Sequence, residues 1–402
     1  MRRSPAISWG KKPSHSHPGR KIGMKRTLTL LPLLTLLPVS AIAAEVTVCI
    51  TVSATGPAAS LGIPEQNTVA FLPTKVGDTG IRYVVYDDAT DPTGATRNAR
   101  KCVDSDEADV IIGSSSAPTS ASAATVAAEA QTPIIALAPV NVPENVEKWT
   151  FRSVQKNEQM ASALVEHMKS SGVKKLGFIG YSDAYGEDWL KTVTAMIEGS
   201  GVEMTSVERF ARTDTSVIGQ VLKLYSDKPD AILVAASGTP SALPVAGLRE
   251  RGFDGAIYQT HGSATRDYIR VGGKAVEGSI LPVGPVVVAE QLPDDHPSKA
   301  VGVEYTRKYE AAHGKGSVSA FGGMMYDAGQ LVAAAIPEAL KKGAPGTREF
   351  RAALRDGLEN QKNVVSVNGV YNTSPTDHFG HDARSRVLIT VSNGEFKYLP
   401  AR

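Results

Sequence analysis

The chain has 402 residues, of which 42% are hydrophobic and 21% are charged, so it can bury a sizeable core and is neither low-complexity nor collagen-like. Its net charge of +2 depends on the first 44 residues, which contain eight Lys or Arg and no Asp or Glu. Residues 45–402 carry a net charge of −6, which argues against a nucleic-acid-binding surface as their main function.

A basic start, an apolar run and a stretch of small residues follow one another from Met24. Two basic residues precede a leucine-rich run that ends at Val39, and Ala41–Ala44 follows it. This order predicts a secretory signal peptide, cleaved after Ala43 or Ala44, and a periplasmic mature protein. The alternative is a membrane anchor, but the run is shorter than the roughly 20 residues that span a bilayer. Residues 1–23 are then an upstream extension of a start at Met24.

Two cysteines, Cys49 and Cys102, remain in the mature chain. An exported protein meets an oxidising compartment, so a disulfide between them is expected. The alternative is two separate buried thiols. Two cysteines alone do not make a metal site, and we expect no metal or other cofactor.

Short apolar runs alternate with longer segments of helical periodicity along the mature chain. Helical spacing is present around residues 161–168, 189–197 and 217–224. Continuous Val, Ile and Leu runs flanked by helices are typical of parallel strands covered on both faces, so the fold class is α/β with doubly wound parallel sheets. The predicted strands are Val46–Val52, Ile81–Tyr86, Asp109–Ile112, Pro133–Leu137, Lys175–Gly180, Ala231–Ala235, Ala256–Gln259 and Ser279–Val288.

The mature length predicts two domains, yet no long Pro/Ser linker separates them. Two lobes joined by several short crossings satisfy both observations. The pattern breaks at Phe151–Asn157, at Gly284-Pro285 and at Asn368–Gly380, and we assign the crossings there. The predicted N-terminal lobe comprises residues 45–155 and 287–370, and the C-terminal lobe comprises residues 156–286 and 371–402.

A serine-rich segment, Ser114–Ser120, follows a predicted strand and precedes an alanine-rich helix from about Ala121 to Ala130. Ligands of open parallel sheets bind outside the carboxyl ends of the strands. Hydroxyl groups and free N–H groups at a helix start hold a carboxylate or another small anion. The alternative is that these serines only cap the helix.

Motifs for catalysis are missing from the sequence: there is no Gly-x-Ser-x-Gly elbow, no His-Glu-x-x-His and no phosphate-binding Gly-x-x-x-x-Gly-Lys-Ser/Thr. We therefore predict a binding protein and not an enzyme. His261 follows a predicted strand, where it contacts either a ligand or only the polar loop. The other mature histidines are expected to be solvated or on a helix: His167, His296, His313, His378 and His381.

Several motifs occur together in one order. They are Gly56-Pro57-Ala58-Ala59-Ser60-Leu61-Gly62, residues 83–88 (Tyr-Val-Val-Tyr-Asp-Asp), the serine-rich loop, residues 180–186 (Gly-Tyr-Ser-Asp-Ala-Tyr-Gly), residues 229–234, residues 248–252 and Tyr326-Asp327-Ala328. From residue 45 to the C-terminus, this set resembles the solute-binding proteins of ABC importers of the branched-chain amino-acid type. The resemblance implies two α/β lobes joined by three crossings, hinge closure on a ligand in the cleft, a membrane permease as partner, and a monomer.

The resemblance also implies the ligand-binding positions. Ser115, Ser116 and Ala117 in one loop and Ala136, Leu137 and Ala138 in the next would hold the ligand carboxylate. Tyr185 would close over the ligand from the second lobe, and Leu61 would contact its apolar end. The remaining implied contacts are Ser237, Gly238 and His261.

The sequence departs from the family pattern where amino-acid binders hold the ligand ammonium. Val140 stands in place of a Thr, and His261 stands in place of an acidic residue. Burying an ammonium without an acidic partner costs on the order of several kcal/mol. We therefore expect a carboxylate ligand without an α-amine, such as an aromatic acid or a 2-oxo acid. The alternatives are an amino-acid binder, a sensory domain, and an enzyme that uses Ser115 or Ser116 as nucleophile.

Overall fold

The computed structural model describes residues 45–400. The predicted signal peptide and its upstream extension lie outside the described residues. Within residues 45–400 no helix is both long enough and apolar enough to cross a membrane. Two β-sheets, each flanked by helices, organise this part of the chain.

The first sheet is built from six strands of the amino-terminal part of the chain. Its order is β2-β3-β1-β4-β5-β6, and neighbours pair in parallel except β2 with β3. The order reverses at β1, so the loops after β1 and β4 flank the crevice where such sheets bind ligands. The strands are β1 (Glu45–Val52), β2 (Lys75–Val76), β3 (Thr79–Asp87), β4 (Val110–Gly113), β5 (Ile134–Ala136) and β6 (Thr150–Arg152).

The second sheet has seven strands, five of them parallel. They are β7 (Lys175–Tyr181), β8 (Glu203–Phe210), β9 (Ala231–Ala235), β10 (Ala256–Gln259) and β11 (Ile280–Val283). A two-strand hairpin of β12 (Val364–Ser366) and β13 (Gly369–Tyr371) precedes the two remaining strands of this sheet. These are β14 (Val387–Ser392) and β15 (Glu395–Leu399), which extend it antiparallel in the order β15-β14-β11-β10-β9-β7-β8.

Helices cover the faces of both sheets. The helices of the first lobe up to the first crossing are α1 (Ala59–Thr68), α2 (Pro92–Asp104), α3 (Ala117–Glu129) and α4 (Glu144–Glu147). Next come α5 (Asn157–Ser170), α6 (Ala184–Ile197), α7 (Ile218–Ser226), α8 (Ala242–Glu250) and α9 (Arg266–Gly272). The last three are α10 (Lys299–His313), α11 (Ala320–Leu340) and α12 (Arg348–Glu359).

A glycine near the start of the helix after each lobe's first strand lets that helix lie against the strand end. A Cβ on Gly62 of α1 would stand 2.1 Å from the Ser53 carbonyl oxygen. A Cβ on Gly186 of α6 would stand 1.9 Å from the Tyr181 carbonyl oxygen. The backbone of each helix therefore approaches the loop that faces the cleft, which explains why glycine closes both sequence motifs.

The chain passes between the lobes three times. After β6 it enters α5, which packs on α6 and β11 of the second lobe. After β11 it returns to α11, which packs on α1, and after β13 it continues into β14. The predicted α/β fold with two doubly wound lobes and three crossings is confirmed, with short antiparallel edges added to both parallel sheets.

Seven of the eight predicted strands occur within two residues of their predicted ends. The prediction of a strand over Ser279–Val288 is wrong beyond Val283. Pro285 lacks the N–H group that would continue the ladder, and residues Pro285–Gln291 form 3-10 turns that lead into the crossing.

The expectation that all the turn-region histidines are solvated is wrong for His378 and His381. The His378 ring is buried against Phe151, with 4.3 Å between ring centroids, and its Nδ1 lies 3.0 Å from the Thr150 carbonyl oxygen. Both ring nitrogens of His381 are buried, and its ring packs on Tyr371 at 4.2 Å. Both histidines lie in the last crossing and pack into it.

Cys49 of β1 and Cys102 of α2 form a disulfide, with 5.6 Å between their Cα atoms. The predicted pairing is confirmed. The bond ties the helix that follows β3 to the central strand of the first sheet, and both residues are buried in an apolar cluster between the sheet, α2 and α3.

Replacing both cysteines with alanine is expected to lower the free energy of unfolding by about 4 kcal/mol. The bridge closes a loop of 53 residues and so lowers the conformational entropy of the unfolded chain. Urea unfolding of the double variant, compared with the oxidised and the reduced wild type, measures this difference. The variant should match the reduced wild type. An unfolding midpoint equal to that of the oxidised protein would contradict the expectation.

Candidate functional site

The loops after β1, β4 and β5 meet at one edge of the first sheet. Parallel strands end at the same edge, which brings Ser53, the serine loop and Leu137 together. Ser115 and Ser116 are 2% and 4% exposed, so both residues are buried. They line a cavity between the lobes.

Helix α3 begins in this loop and directs its amino terminus at the cavity. Ser116 is its N-cap residue, and its Oγ lies 2.8 Å from Thr119 Oγ1. The Ser116 N–H donates to the same Thr119 oxygen at 3.3 Å. Ala117, the first helical residue, lines the cavity. The positive end of a helix dipole therefore faces the ligand space, as the anion-site prediction requires.

A buried carboxylate, Asp88, lies behind the first-lobe loops and receives hydrogen bonds from three hydroxyl groups. Thr51 Oγ1 donates at 3.1 Å, Ser53 Oγ at 2.7 Å and Ser114 Oγ at 2.5 Å. The Thr90 N–H donates a fourth bond at 3.0 Å. Asp88 thus joins the ends of β1 and β4 to the loop after β3.

The second lobe contributes side chains from three strand ends. Tyr185 lies in the first turn of α6, after β7, and its hydroxyl donates to Thr260 Oγ1 at 2.8 Å. Ser237 follows β9 and His261 follows β10. Both are buried and line the same cavity as Tyr185.

Arg212, two residues after β8, is the basic side chain of the cavity. Its Nε donates to Asp183 Oδ2 at 2.6 Å and its Nη1 donates to Ser237 Oγ at 3.0 Å. The guanidinium lies 4.1 Å from the centre of the Tyr181 ring, in cation–π geometry. Three contacts therefore orient a cation towards the ligand space.

His261 is neutral in this setting. Burial lowers the pKa of its imidazole from 6.5 to about 4, because a charged ring would lose its hydration. The ring lies 5.9 Å from Trp189 and 6.2 Å from Tyr185 between centroids. Its Nδ1 has no hydrogen-bond partner within residues 45–400. A neutral imidazole can donate one hydrogen bond and accept another, so either a hydroxyl or an oxo group is a fitting partner.

The shifted pKa of His261 predicts a pH-dependent stability. Between about pH 6.5 and pH 4 the unfolded chain protonates this ring and the folded protein does not, so the free energy of unfolding falls as pH is lowered through that window. The loss is up to about 1.4 kcal/mol per pH unit. Urea unfolding of wild type and His261→Gln across the window measures it. His381, whose pKa burial lowers to about 3, remains in both proteins, so equal pH slopes would contradict the prediction.

One cavity between the lobes collects most of the predicted ligand-binding residues. Two predicted positions lie beside it: Ala136 is the last residue of β5, and Gly238 packs its backbone against Leu61. The structure brings together at the cavity wall Leu61, Ser115, Ser116, Ala117, Leu137, Ala138, Tyr185, Ser237 and His261.

Five lining residues are not among the predicted positions, namely Pro139, Val154, Arg212, Gly262 and Phe321. Pro139 directly follows the predicted position Ala138, and Gly262 directly follows His261. Val154 lies in a predicted crossing, and Phe321 comes from α11, which no local motif connects with the cleft. Arg212 could have been found as a basic residue just after a strand, had β8 been predicted.

Val140, which the resemblance places where amino-acid binders have a Thr, lies outside this cavity. It is buried, and its carbonyl oxygen accepts two hydrogen bonds from Arg152, at 3.1 and 2.7 Å. Its side chain offers no hydroxyl group to a ligand. In the part of the chain that the structure describes, no group of three or more His, Cys, Asp or Glu side chains is placed to hold a metal ion.

Two doubly wound lobes, three crossings and a cavity between them define a two-lobed small-molecule receptor. The chain belongs to the periplasmic binding protein family, whose model matches residues 45–388. The family and a solved relative are ligand-binding receptors. No curated protein matches the sequence.

Solved structures agree with this assignment. An extracellular ligand-binding receptor from Rhodopseudomonas palustris is 47% identical, with a TM-score of 0.88 over 89% of this chain and 100% of that one. A leucine-binding protein from Thermotoga maritima is 21% identical, with a TM-score of 0.76 over 88% and 98%. A solute-binding protein from R. palustris in complex with benzoate is 21% identical, with a TM-score of 0.73 over 88% and 95%. The last two share the fold alone.

Proposed function

We propose that the protein is the periplasmic receptor of an ABC importer and that it carries a small carboxylate without an α-amine. The ligand would be an aromatic acid or a 2-oxo acid, held between the lobes and delivered to a membrane permease. Within the proposed lobes, residues 45–155 and 287–370 bind one side of the ligand, and residues 156–286 and 371–402 close over the other.

The charge of the cavity wall carries the proposal. Of the fourteen described residues that line the cavity, none is acidic and one, Arg212, is basic. Two acids lie behind lining residues and hydrogen-bond to them, Asp183 to Arg212 and Glu65 to Ser115. A ligand ammonium buried here would lack a counter-ion, at a cost on the order of several kcal/mol. A carboxylate meets a cation, hydroxyl groups and a helix amino terminus.

The distribution of polar and apolar groups supports an acid with one charged end and one apolar end. Polar donors gather at Ser115, Ser116 and Ala117 on the first lobe, and Arg212 and Ser237 stand on the second. The remaining wall is apolar, with Leu61, Leu137, Val154 and Phe321. This apolar part of the wall suits the hydrocarbon end of an aromatic or branched-chain acid.

Contacts outside the cavity support closure around the ligand. Asp188 of α6 accepts a hydrogen bond from Asn141, in the loop after β5, at 2.8 Å. It accepts a second from Asn157, in the first crossing, at 2.6 Å. These bonds join the second lobe to the first lobe and to the crossing, as expected when a receptor holds its cleft shut.

Matched pairs of ligands test the proposal. The fold alone does not choose between an amino acid and an acid, because neighbours with this fold include a leucine-binding protein and a protein in complex with benzoate. Calorimetry would compare leucine with 4-methyl-2-oxopentanoate and phenylalanine with phenylpyruvate, with benzoate as an acid that has no amino counterpart. Each pair differs only at the α-carbon. We expect each acid to bind at least about tenfold more tightly than its amino acid, or 1.4 kcal/mol. Tight binding of leucine with no response to the acids would overturn the proposal.

A further inference from the structure

Glu65 is an acid that the cavity wall hides. It lies in α1, four residues after Leu61 and so on the same face of the helix, and it is fully buried. Its Oε2 shares a hydrogen bond with Ser115 Oγ. Its Oε1 has no partner within residues 45–400. Ser115 therefore separates this carboxyl group from the ligand space.

The hydrogen-bond capacity of Ser115 is limited by its surroundings. A serine hydroxyl has one proton and two lone pairs. One lone pair accepts the Ser53 N–H at 2.9 Å. The proton and the second lone pair must then be divided between Glu65 on one side and the cavity on the other.

The protonation state of Glu65 decides this division. An ionised Glu65 only accepts, so it takes the Ser115 proton and leaves a lone pair facing the cavity, where it would repel a carboxylate. A protonated Glu65 donates its own proton to the Ser115 lone pair and leaves the serine O–H free to donate into the cavity. Only the second arrangement suits an anionic ligand.

We infer that Glu65 is a positioning residue that works in its neutral form and aims the Ser115 O–H at the carboxylate of the ligand. This inference rests on the proposed function and extends it to the control of affinity by pH. Above the pH at which Glu65 ionises, the pocket loses a donor and gains a negative charge behind it.

The surroundings of Glu65 favour the neutral form. Burial raises the pKa of its carboxyl well above the usual value, the Ser115 hydrogen bond opposes that shift, and the negative charge of Asp88 adds to it. From α10, Tyr305 hydrogen-bonds Thr68 of α1 at 2.8 Å and brings no charge. Across the cavity, Arg212 is paired with Asp183, and His261 is neutral. No cation in this set compensates a Glu65 charge.

The test measures binding of benzoate and 4-methyl-2-oxopentanoate, both ionised throughout, from about pH 5.5 to about pH 9.5. Infrared spectra of the ligand-free protein, with the Glu65→Gln spectrum subtracted, report the carboxylic C=O band of Glu65. We expect the band at pH 7, and a tenfold loss of affinity per pH unit above the pH where it disappears. Glu65→Gln, whose amide donates to Ser115, should bind with a level pH profile. Ser115→Ala should bind more weakly and lose less affinity over the same rise in pH, because only the repulsion by the Glu65 charge remains.

The outcomes separate the two proposals. Absence of the infrared band at pH 7 overturns the inference while leaving the proposed function intact. A Glu65→Gln profile that falls in parallel with the wild type does the same, because the slope would then belong to another group. Failure of both acids to bind at any pH overturns the proposed function, and the inference with it.

Discussion

Replacing Arg212 with glutamine is expected to weaken the binding of a small carboxylate at least about thirtyfold, or about 2 kcal/mol. The substitution removes the basic side chain of the cavity wall. It also leaves Asp183, whose side chain is 24% exposed, without its ion-pair partner. The unpaired carboxylate would then repel an anionic ligand. Calorimetry with the tightest acid of the ligand panel measures the effect.

The same strand end supplies the control. Arg209 of β8 pairs with Glu187 at the surface, where both side chains are nearly half exposed, so Arg209→Gln should leave affinity within about twofold. Adding Asp183→Asn to Arg212→Gln should recover part of the lost affinity, because the uncompensated charge is removed. If Arg212→Gln binds the acids as the wild type does, the guanidinium serves only to hold Asp183 and Tyr181.

The parts of the site that could be predicted from sequence lie at ends of apolar strands. β1, β4 and β5 are continuous buried runs, so their carboxyl ends, and with them Ser115 and Leu137, could be located along the chain. Parallel pairing then places those ends at one edge without further information. The motif glycines, Gly62 and Gly186, mark the helix that packs on each strand end.

The parts that could not be predicted depend on tertiary context. β8 is an edge strand whose residues are mostly half-buried and polar, so it lacks the apolar run that predicted its neighbours. Without a predicted β8, the sequence does not indicate that Arg212 follows a strand end. Phe321 reaches the cavity from α11 after the second crossing, a placement that no local pattern encodes. Glu65 stands in a short helix that also contains exposed Ile63, and its burial depends on the tertiary packing of α1 against α11 and on its contact with Ser115.

Removing the Asp88 carboxylate is expected to lower the stability of the protein strongly. Asp88→Ala should lower the free energy of unfolding by at least about 3 kcal/mol, because four donors lose their acceptor in a buried site and each unsatisfied group costs about 1–3 kcal/mol. Water that enters the vacated space would recover part of that loss. Urea unfolding followed by circular dichroism measures the change.

Asp87 is the matched control, since it is the preceding residue and accepts three hydrogen bonds, from the Thr55 side chain, the Thr55 N–H and the Ala89 N–H. These bonds are exposed to solvent, so Asp87→Ala should cost no more than about 1 kcal/mol. Asp88→Ala should also weaken acid binding, because Ser53 and Ser114 orient the loop that carries Ser115. Equal stability losses in the two variants would mean that the buried network does not hold the loops, and unchanged ligand affinity in Asp88→Ala would separate the network from the site.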